Sequence, residues 1–336
     1  MRDIQQRLIQ TLADGEFHSG ETLAKQFGLT RVAIWNHVKL LADYGLDVHS
    51  VRGKGHRMAR AFTPLDATQI RDQLKDSELK LASFTIKHSI DSTNRYLADM
   101  TPPPAGKVHV CLAEQQTGGR GRRGRQWHSP YGAGIYLSLA QRLAVNDWPM
   151  GGLGLALGVA VHQALTSLGI AGIKLKWPND LMVGYQKLGG LLIEASQLSN
   201  DSSYVVIGIG INVDLPMDLK LQMQALTPSP ITLADIDQDF INQRNQMVAL
   251  LIENCLQACE QFAEQGLLPS KAYWQRFDYL GNHELQVEIG NQVIVGRSCG
   301  VADDGQLVIE NTDGLQHNLA AGDVTVRRTF DIRRAA

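Results

Sequence analysis

The stretch Gly119-Arg120-Gly121-Arg122-Arg123-Gly124-Arg125-Gln126-Trp127 separates the architectures open to this chain. Three glycines and four arginines crowd a segment without apolar periodicity. Glycine lets a backbone wrap closely round a ligand, and guanidinium offers a rigid fork of donors to carboxylate and phosphate oxygens. Such a segment reads as a mobile loop that folds over something anionic. The plainer reading is a solvated basic loop, because charge runs usually face water. Gly119, Gly121 and Gly124 also match the dinucleotide fingerprint G-x-G-x-x-G. That fingerprint requires an apolar helix directly after it. Here Trp127-His128-Ser129-Pro130-Tyr131-Gly132-Ala133-Gly134 follows, and its proline and glycines do not sustain a helix. No Gly-Lys-Ser/Thr closes the segment, so it is not a Walker A loop.

Outward from the loop, strand-like and helix-like pieces alternate from Leu65 to about residue 270. Phe84–His88, Val108–Leu112, Ile135–Leu139, Leu188–Ala195 and Tyr204–Val213 read as strands. Gly151–Leu168, with small and apolar residues throughout, reads as a buried helix, with further helices near Arg95, over Phe240–Glu264 and over Leu268–Tyr279. The pattern predicts an α+β arrangement, a mixed sheet backed by helices. Five motifs fall at its turns and strand ends. Asp91-Ser92-Thr93-Asn94 suits a small polar headgroup, or is a plain helix cap. Lys176-Trp177-Pro178-Asn179-Asp180 sets a cation, an indole and two polar groups on a rigid turn. Lys187-Leu188-Gly189-Gly190 opens a strand. Gly208-Ile209-Gly210-Ile211-Asn212 puts two glycines inside a strand, which often means close approach of a ligand. Glu114-Gln115-Gln116 leads into the arginine loop.

Residues 1–62 read as a separate unit. Ile4, Leu8 and Leu12 mark one helix; Ser19 and Thr30 are caps for two more, with Gly28 between them. This is the shape of a helix-turn-helix. Arg31, Asn36, His37 and Lys39 on the third helix suit base edges and phosphates. The hairpin that follows, around Arg52-Gly53-Lys54, is basic and contains no acidic residue, as a wing against a phosphate backbone would be; the alternative is a winged helix used for protein contacts. Ala59 to Pro64 reads as a linker. Residues 281–330 read as a small β-barrel, with strands at Leu285–Ile289, Val293–Val301, Leu307–Glu310 and Val324–Arg328 and hairpin turns at Gly290-Asn291, Asp304-Gly305 and Asp313-Gly314.

A length of 336 residues suits two or three domains. The net charge of −2 means that nucleic-acid contact must come from a local basic patch. Cys111, Cys255, Cys259 and Cys299 lack the spacing of a zinc site, which predicts buried free thiols in a reducing cytosol. Met1-Arg2-Asp3 leads straight into an amphipathic pattern, with no signal peptide, and the most apolar run, Gly151–Val161, is too short for a bilayer. A cytoplasmic protein without membrane contact is expected.

Jointly, G-R-G-R-R-G-R-x-W, K-W-P-N-D, K-x-G-G and G-I-N resemble the motifs of the biotin–protein ligases, over nearly the whole chain. With a winged helix in front, the chain is similar to the members that also repress the biotin operon; members without that role typically lack this segment. Lipoate ligases share the catalytic fold, but their Arg-Arg-x-Ser-Gly-Gly-Gly loop is absent here. The resemblance implies a winged helix-turn-helix over 1–62, a catalytic domain over 65–270 and an SH3-like barrel over 281–330. It implies that biotin and MgATP form biotinyl-5′-adenylate, and that biotin then passes to a lysine of the biotin carboxyl carrier protein of acetyl-CoA carboxylase.

It also implies roles for residues. Ser92, Thr93, Asn94 and Gln116 hold the ureido end and ring region of biotin. Arg120, Gly121 and Arg122 line biotin and the phosphate. Lys187 sits at the carboxylate–phosphate junction as electrostatic catalyst. Lys176, Asn179, Asp180 and Asn212, with Arg122, lie on the nucleotide side, and Trp127 stacks on or covers adenine. Asp180 either orients or deprotonates the acceptor amine, or braces its turn. No metal ligand is assigned. The adenylate-bound protein is expected to dimerise and bind an inverted-repeat operator. Two other readings stay open: a biotin-sensing regulator without catalysis, and a ligase with a vestigial winged helix.

Overall fold

The computed structural model describes residues 3–144, 149–199, 201–289, 292–320 and 324–328. Three helices open the chain: α1 (Asp3–Leu12), α2 (Gly20–Phe27) and α3 (Arg31–Lys39). Their ends are set locally. Ser19 and Thr30 accept hydrogen bonds from the Thr22 and Ala33 amides, and Gly28 ends α2 in the left-handed region at φ 66°. Leu8, Leu12, Leu23, Ile34, Val38 and Leu41 form the core beneath them. An antiparallel hairpin, β1 (Val48–Val51) and β2 (Gly55–Met58), supplies the wing. Arg31, Asn36, Lys39, Arg52 and Lys54 are exposed and His37 is half-buried.

After the short α4 (Ala67–Arg71) come β3 (Leu81–Ile90), α5 (Thr93–Ala98), β4 (Val108–Gln116), β5 (Gly134–Ala144) and α6 (Gly151–Ser167). The chain continues through β6 (Ile173–Lys176), β7 (Asp180–Val183), β8 (Gln186–Ser199), β9 (Ser202–Asn212), α7 (Met217–Met223), α8 (Leu233–Ile236), α9 (Arg244–Gln265) and α10 (Leu268–Phe277). The strands form one seven-stranded sheet in the order β3-β4-β5-β9-β8-β7-β6. Only β3 and β4 pair in parallel, across the α5 connection. α6 is mostly apolar because most of it is buried, packed against α9 and the sheet, with Gln163 and Ser167 exposed toward its C-terminal end. The expected mixed sheet backed by helices is present, with β6 and β7 as two additional short strands.

The segment read as a linker is pinned rather than free. Phe62 belongs to the winged-helix core, and Arg60 pairs with Asp214 and donates to the Tyr131 carbonyl. Deeper, the fully buried Arg244 on α9 pairs with Glu114 of β4 at 2.6 Å. The same guanidinium donates to the carbonyls of Thr63 and Gly134, and the Leu65 amide donates to Glu114. One ion pair thus fastens the linker, both strands that flank the arginine loop, and α9. Tyr131, just past that loop, packs edge-on against Tyr44 and Phe62 of the winged helix and lies 2.8 Å from His88 Nδ1. Burial pushes the Tyr131 phenol up and the His88 imidazole down, which favours the neutral form of both partners.

The C-terminal part, β10 (Glu284–Ile289), β11 (Gln292–Val301), β12 (Leu307–Asn311), β13 (Gln316–Leu319) and β14 (Val324–Arg328), is a five-stranded antiparallel sheet ordered β13-β12-β11-β10-β14. Among the described residues β13 and β14 are its two edges, so the sheet does not close into the expected barrel. The physical reason is that its apolar face (Leu285, Val287, Leu307, Ile309) joins the same continuous core as α6 and α9 instead of enclosing its own. The Gly290-Asn291 turn lies outside the described residues. Three cysteines are buried and free as expected; Cys299 is exposed, because it points away from that shared core. Among the described residues no helix is long and apolar enough to cross a membrane.

Two stability predictions follow from buried charge. Arg244→Met leaves Glu114 as an uncompensated buried carboxylate, and urea unfolding should show a loss of about 3–5 kcal/mol. Asp278, at the end of α10, is pushed up to about 6 by burial, with the Leu280 and Gly281 amides opposing. An acid whose folded pKa is raised binds its proton more tightly when folded. Its carboxylate therefore costs stability as pH rises from the ordinary aspartate range through about 6. Asp278→Asn should match the wild-type Tm near pH 4, exceed it increasingly up to about pH 6, and hold a constant advantage above.

Candidate active site

The β3–α5 turn builds one end of the site. Ser92 caps α5, so the plain capping role is realised, while the Thr93 amide and hydroxyl both donate to Gln116 Oε1. Gln116 in turn donates to Ser129. Asn94 is buried: its Nδ2 donates to the Leu192 carbonyl and to Glu194, and its Oδ1 accepts from Ser138 at 2.6 Å. Both amide hydrogens of Asn94 are thus spent inside the protein, which leaves only its oxygen for a ligand. This polar network stiffens the floor of the site.

The arginine loop, expected to be mobile, has a definite hairpin conformation here. Gly121 N donates to Arg125 O, Trp127 N donates to Gly119 O, and Arg123 takes a left-handed φ of 57°. Two arginines point inward. Arg120 pairs with Glu194 on β8 at 2.7 Å, and Arg122 donates to Asn179 Oδ1 at 3.2 Å. Burial, then the neighbouring Arg123, lowers the Arg122 pKa, and Asp180 opposes the shift; the guanidinium stays charged at neutral pH. Arg123 and Arg125 are exposed.

The turn between β6 and β7 carries a cis Trp177–Pro178 peptide. Trp177 is buried and donates its indole N–H to the Gly305 carbonyl of the C-terminal sheet. Asn179 is tied to Leu191 through its backbone oxygen and its amide, and Lys176 lies over the Tyr279 ring. Asp180 pairs with Lys187 at 2.6 Å. Lys187 is also held by its backbone, which bonds to Ser229 and Ile231 and accepts from Asn212 Nδ2. Asn212 gives its other amide hydrogen to Ile231, so it braces Lys187 and offers a ligand no N–H.

Gly208 and Gly210 explain their own absence of side chains. A Cβ on Gly208 would lie 2.3 Å from Asn94 Oδ1, and one on Gly210 would lie 2.6 Å from the Trp127 indole. The close approach inferred from these glycines is therefore made by the chain's own side chains. Trp127 lies with Lys187 Nζ 5.5 Å from its ring centroid. Trp127 Nε1 and Arg120 Nε are buried donors without a hydrogen-bond partner among the described residues, which is where a ligand acceptor would be satisfied.

Ser92, Thr93, Asn94, Gln116, Arg120, Gly121, Arg122, Trp127, Lys176, Asn179, Asp180, Lys187 and Asn212 all line one cavity of about 390 Å³. The winged-helix candidates Arg31, Asn36, His37, Lys39, Arg52 and Lys54 are not part of it. Sequence reasoning missed three contributors. Glu194 ties Arg120 to Asn94; its signal was a lone carboxylate in the apolar run Leu191-Leu192-Ile193-Glu194. Ser138 braces Asn94. A wall from Leu215, Met223, Leu226, Pro228 and Pro230 carries no polar pattern to announce it.

The fold and the cavity have counterparts in proteins of known activity. Residues 86–212 match the model of the Biotin/lipoate A/B protein ligase family, and residues 4–57 match an HTH domain. The chain is 37% identical to the Bifunctional ligase/repressor BirA of Escherichia coli (strain K12), covering 96% of each chain. It is 30% identical to the Biotin--[acetyl-CoA-carboxylase] ligase of Mycobacterium tuberculosis, over 79% of this chain and 97% of that one. A biotin protein ligase from Aquifex aeolicus, solved in complex with biotin and ATP, aligns with a TM-score of 0.59 at 26% identity, over 74% of this chain and 100% of that one. The chain belongs to the biotin/lipoate protein ligase family, in its bifunctional ligase/repressor branch.

The geometry predicts that Gly210→Ala expels the Trp127 indole from its seat. Adenylate formation should fall by about 10²-fold, the usual cost of an ångström-scale misplacement, with little change in the urea midpoint; unchanged activity would show that the seat is not needed.

Proposed function

We infer that the protein activates biotin with ATP and transfers it to an acceptor lysine, and that it also acts as a repressor of biotin biosynthesis. The observation that carries the reading is the convergence of Lys187, Arg120 and Arg122 on one cavity floored by Thr93, Asn94 and Gln116. Two anions, a carboxylate and a triphosphate, must meet before either can react. Fixed cations in a partly water-excluded site offset their repulsion and stabilise the charge that develops as pyrophosphate leaves.

In the first step a biotin carboxylate oxygen attacks the α-phosphorus of ATP, and the bond to the β-phosphate's bridging oxygen breaks. No protein nucleophile is needed. Lys187 is the electrostatic catalyst at this junction; Asp180 takes one of its donors, which holds the ammonium in place and leaves two for the reacting oxygens. Arg120 and Arg122 cover biotin and phosphate, Lys176 and Asn179 lie toward the nucleotide, and Trp127 shields the mixed anhydride from water. In the second step the neutral acceptor amine attacks the acyl carbon, the bond from that carbon to the phosphate oxygen breaks, AMP leaves, and the amine's surplus proton passes to solvent water. Asp180, paired with Lys187, is placed here as that lysine's counter-ion and turn brace. The acceptor is a lysine of the biotin carboxyl carrier protein of acetyl-CoA carboxylase. Magnesium enters with the triphosphate. Among the described residues no three His, Cys, Asp or Glu side chains are grouped to hold a metal, and Asp180 and Glu194 are each paired with a cation, so no step is assigned to it.

We assign residues 1–62 to operator binding, 65–270 to catalysis and 281–330 to a supporting sheet that holds the Trp177 turn through Gly305. Arg31, Asn36, His37, Lys39, Arg52 and Lys54 form the DNA-facing set. A ligand that binds the dimer-competent form better shifts the population toward it, and Tyr131 gives the loop a direct mechanical path to the winged helix.

Two experiments test this. Lys187→Ala should slow single-turnover adenylate formation by about 10²–10³-fold; near-normal formation would remove its assigned role. Sedimentation with and without biotin plus ATP should show a dimer only with both present. A mass independent of ligand would remove the switch and leave the ligase.

A further inference from the structure

The recognition helix exposes two large apolar side chains that the ligase chemistry does not use. Val32 is 69% exposed and Trp35 is 44% exposed, one helical turn apart on α3. Neither is left out for want of apolar partners on the inner face, because Ile34 and Val38 fill that side. Isolated apolar residues on a surface need no explanation, but an adjacent pair on the outer face of one short helix does. Its surroundings are cationic. Arg31 and Lys39 lie on the same helix, and neither α3 nor the wing from Val48 to Met58 contains an acidic residue. Lys39 Nζ sits 3.7 Å from the centre of the Trp35 indole, which holds the ring as a flat plate under a positive charge. The wing and the start of α3 both approach Gly20 at the head of α2: a Cβ there would lie 3.8 Å from His56 Nε2 of β2 and 4.0 Å from Arg31 Nε.

An apolar patch framed by cations, at the N-terminal half of a helix-turn-helix's second helix, fits the major groove of duplex DNA. That end of the helix is the part that reaches base edges. The only large apolar feature a base pair presents there is the thymine C5-methyl. We propose that Val32 and Trp35 are specificity-determining residues that read thymine methyl groups in each operator half-site, beside Asn36, whose amide suits adenine. Contacts to phosphate carry no sequence information, and polar side chains cannot sense a methyl group, so discrimination of thymine rests on this apolar pair. The inference depends on the DNA-binding reading above.

The test uses the full chain with biotin and ATP. Duplexes selected from a random pool give the preferred sequence, and fluorescence anisotropy at fixed salt then compares thymidine with deoxyuridine, which lacks only the methyl, at each position. Wild type should lose about fourfold at two positions per half-site, the worth of one buried methyl-sized group. Val32→Ala should bind the parent duplex more weakly and show no further loss at one of these positions; Trp35→Ala should do the same at the other. Arg52→Ala should weaken all duplexes alike and reduce the salt slope by about one. Both helix variants should retain wild-type biotin transfer, which confirms folding. Equal deoxyuridine penalties in wild type and variants overturn the proposal. So does a variant that alters sedimentation but not DNA affinity, which would give this face to a second copy of the chain. If wild type selects no duplex at all, the DNA-binding reading itself falls, and the proposal with it.

Discussion

The buried pair between Glu114 and Arg244 is the constraint on which the rest of the molecule depends. A fully buried guanidinium is tolerated only when its donors are satisfied, and here the acceptors are Glu114 and the carbonyls of Thr63 and Gly134. Those acceptors come from the entry to the arginine loop, its exit strand and the connection from the winged helix. Satisfying one charge therefore positions both ends of the loop and the neighbouring unit together. Tyr131, between the loop and Gly134, then ties loop geometry to Tyr44 and Phe62 across the junction.

Within that frame the site is arranged around paired charge. Each inward cation has a protein partner: Arg120 with Glu194, Arg122 with Asn179, Lys187 with Asp180. Such pairing keeps three positive groups close together without a ligand and preorganises them for two anions. Asn94 and Asn212 serve as braces through their amide hydrogens rather than as donors to a ligand. Gly208 and Gly210 are the complement of this arrangement, since any side chain there would displace Asn94 or Trp127.

Local signals were legible in the sequence. Ser19, Gly28 and Thr30 act through neighbours a few residues away, and the helix caps lie where those residues predict. The cavity-lining motifs were also legible, because their residue types are chemically specific. What could not be read depends on distant partners. Arg244 is 130 positions from Glu114, and nothing in the surrounding helix marks it as a clamp. Glu194 gains its meaning only when β8 lies beside the loop. The Ile173-Lys174-Leu175-Lys176 alternation of β6 was visible but overshadowed by the motif it leads into, whereas Gln316-His317-Asn318-Leu319 of β13 has no strand pattern. The open edge of the C-terminal sheet follows from the shared core, which turn residues do not report.

The central claim is that this cavity joins a biotin carboxylate to the α-phosphorus of ATP. Exchange of labelled pyrophosphate into ATP measures that step by itself, without acceptor protein or DNA. Exchange that appears only when biotin is present is the predicted result. No exchange with biotin, or exchange that does not depend on it, would contradict the account.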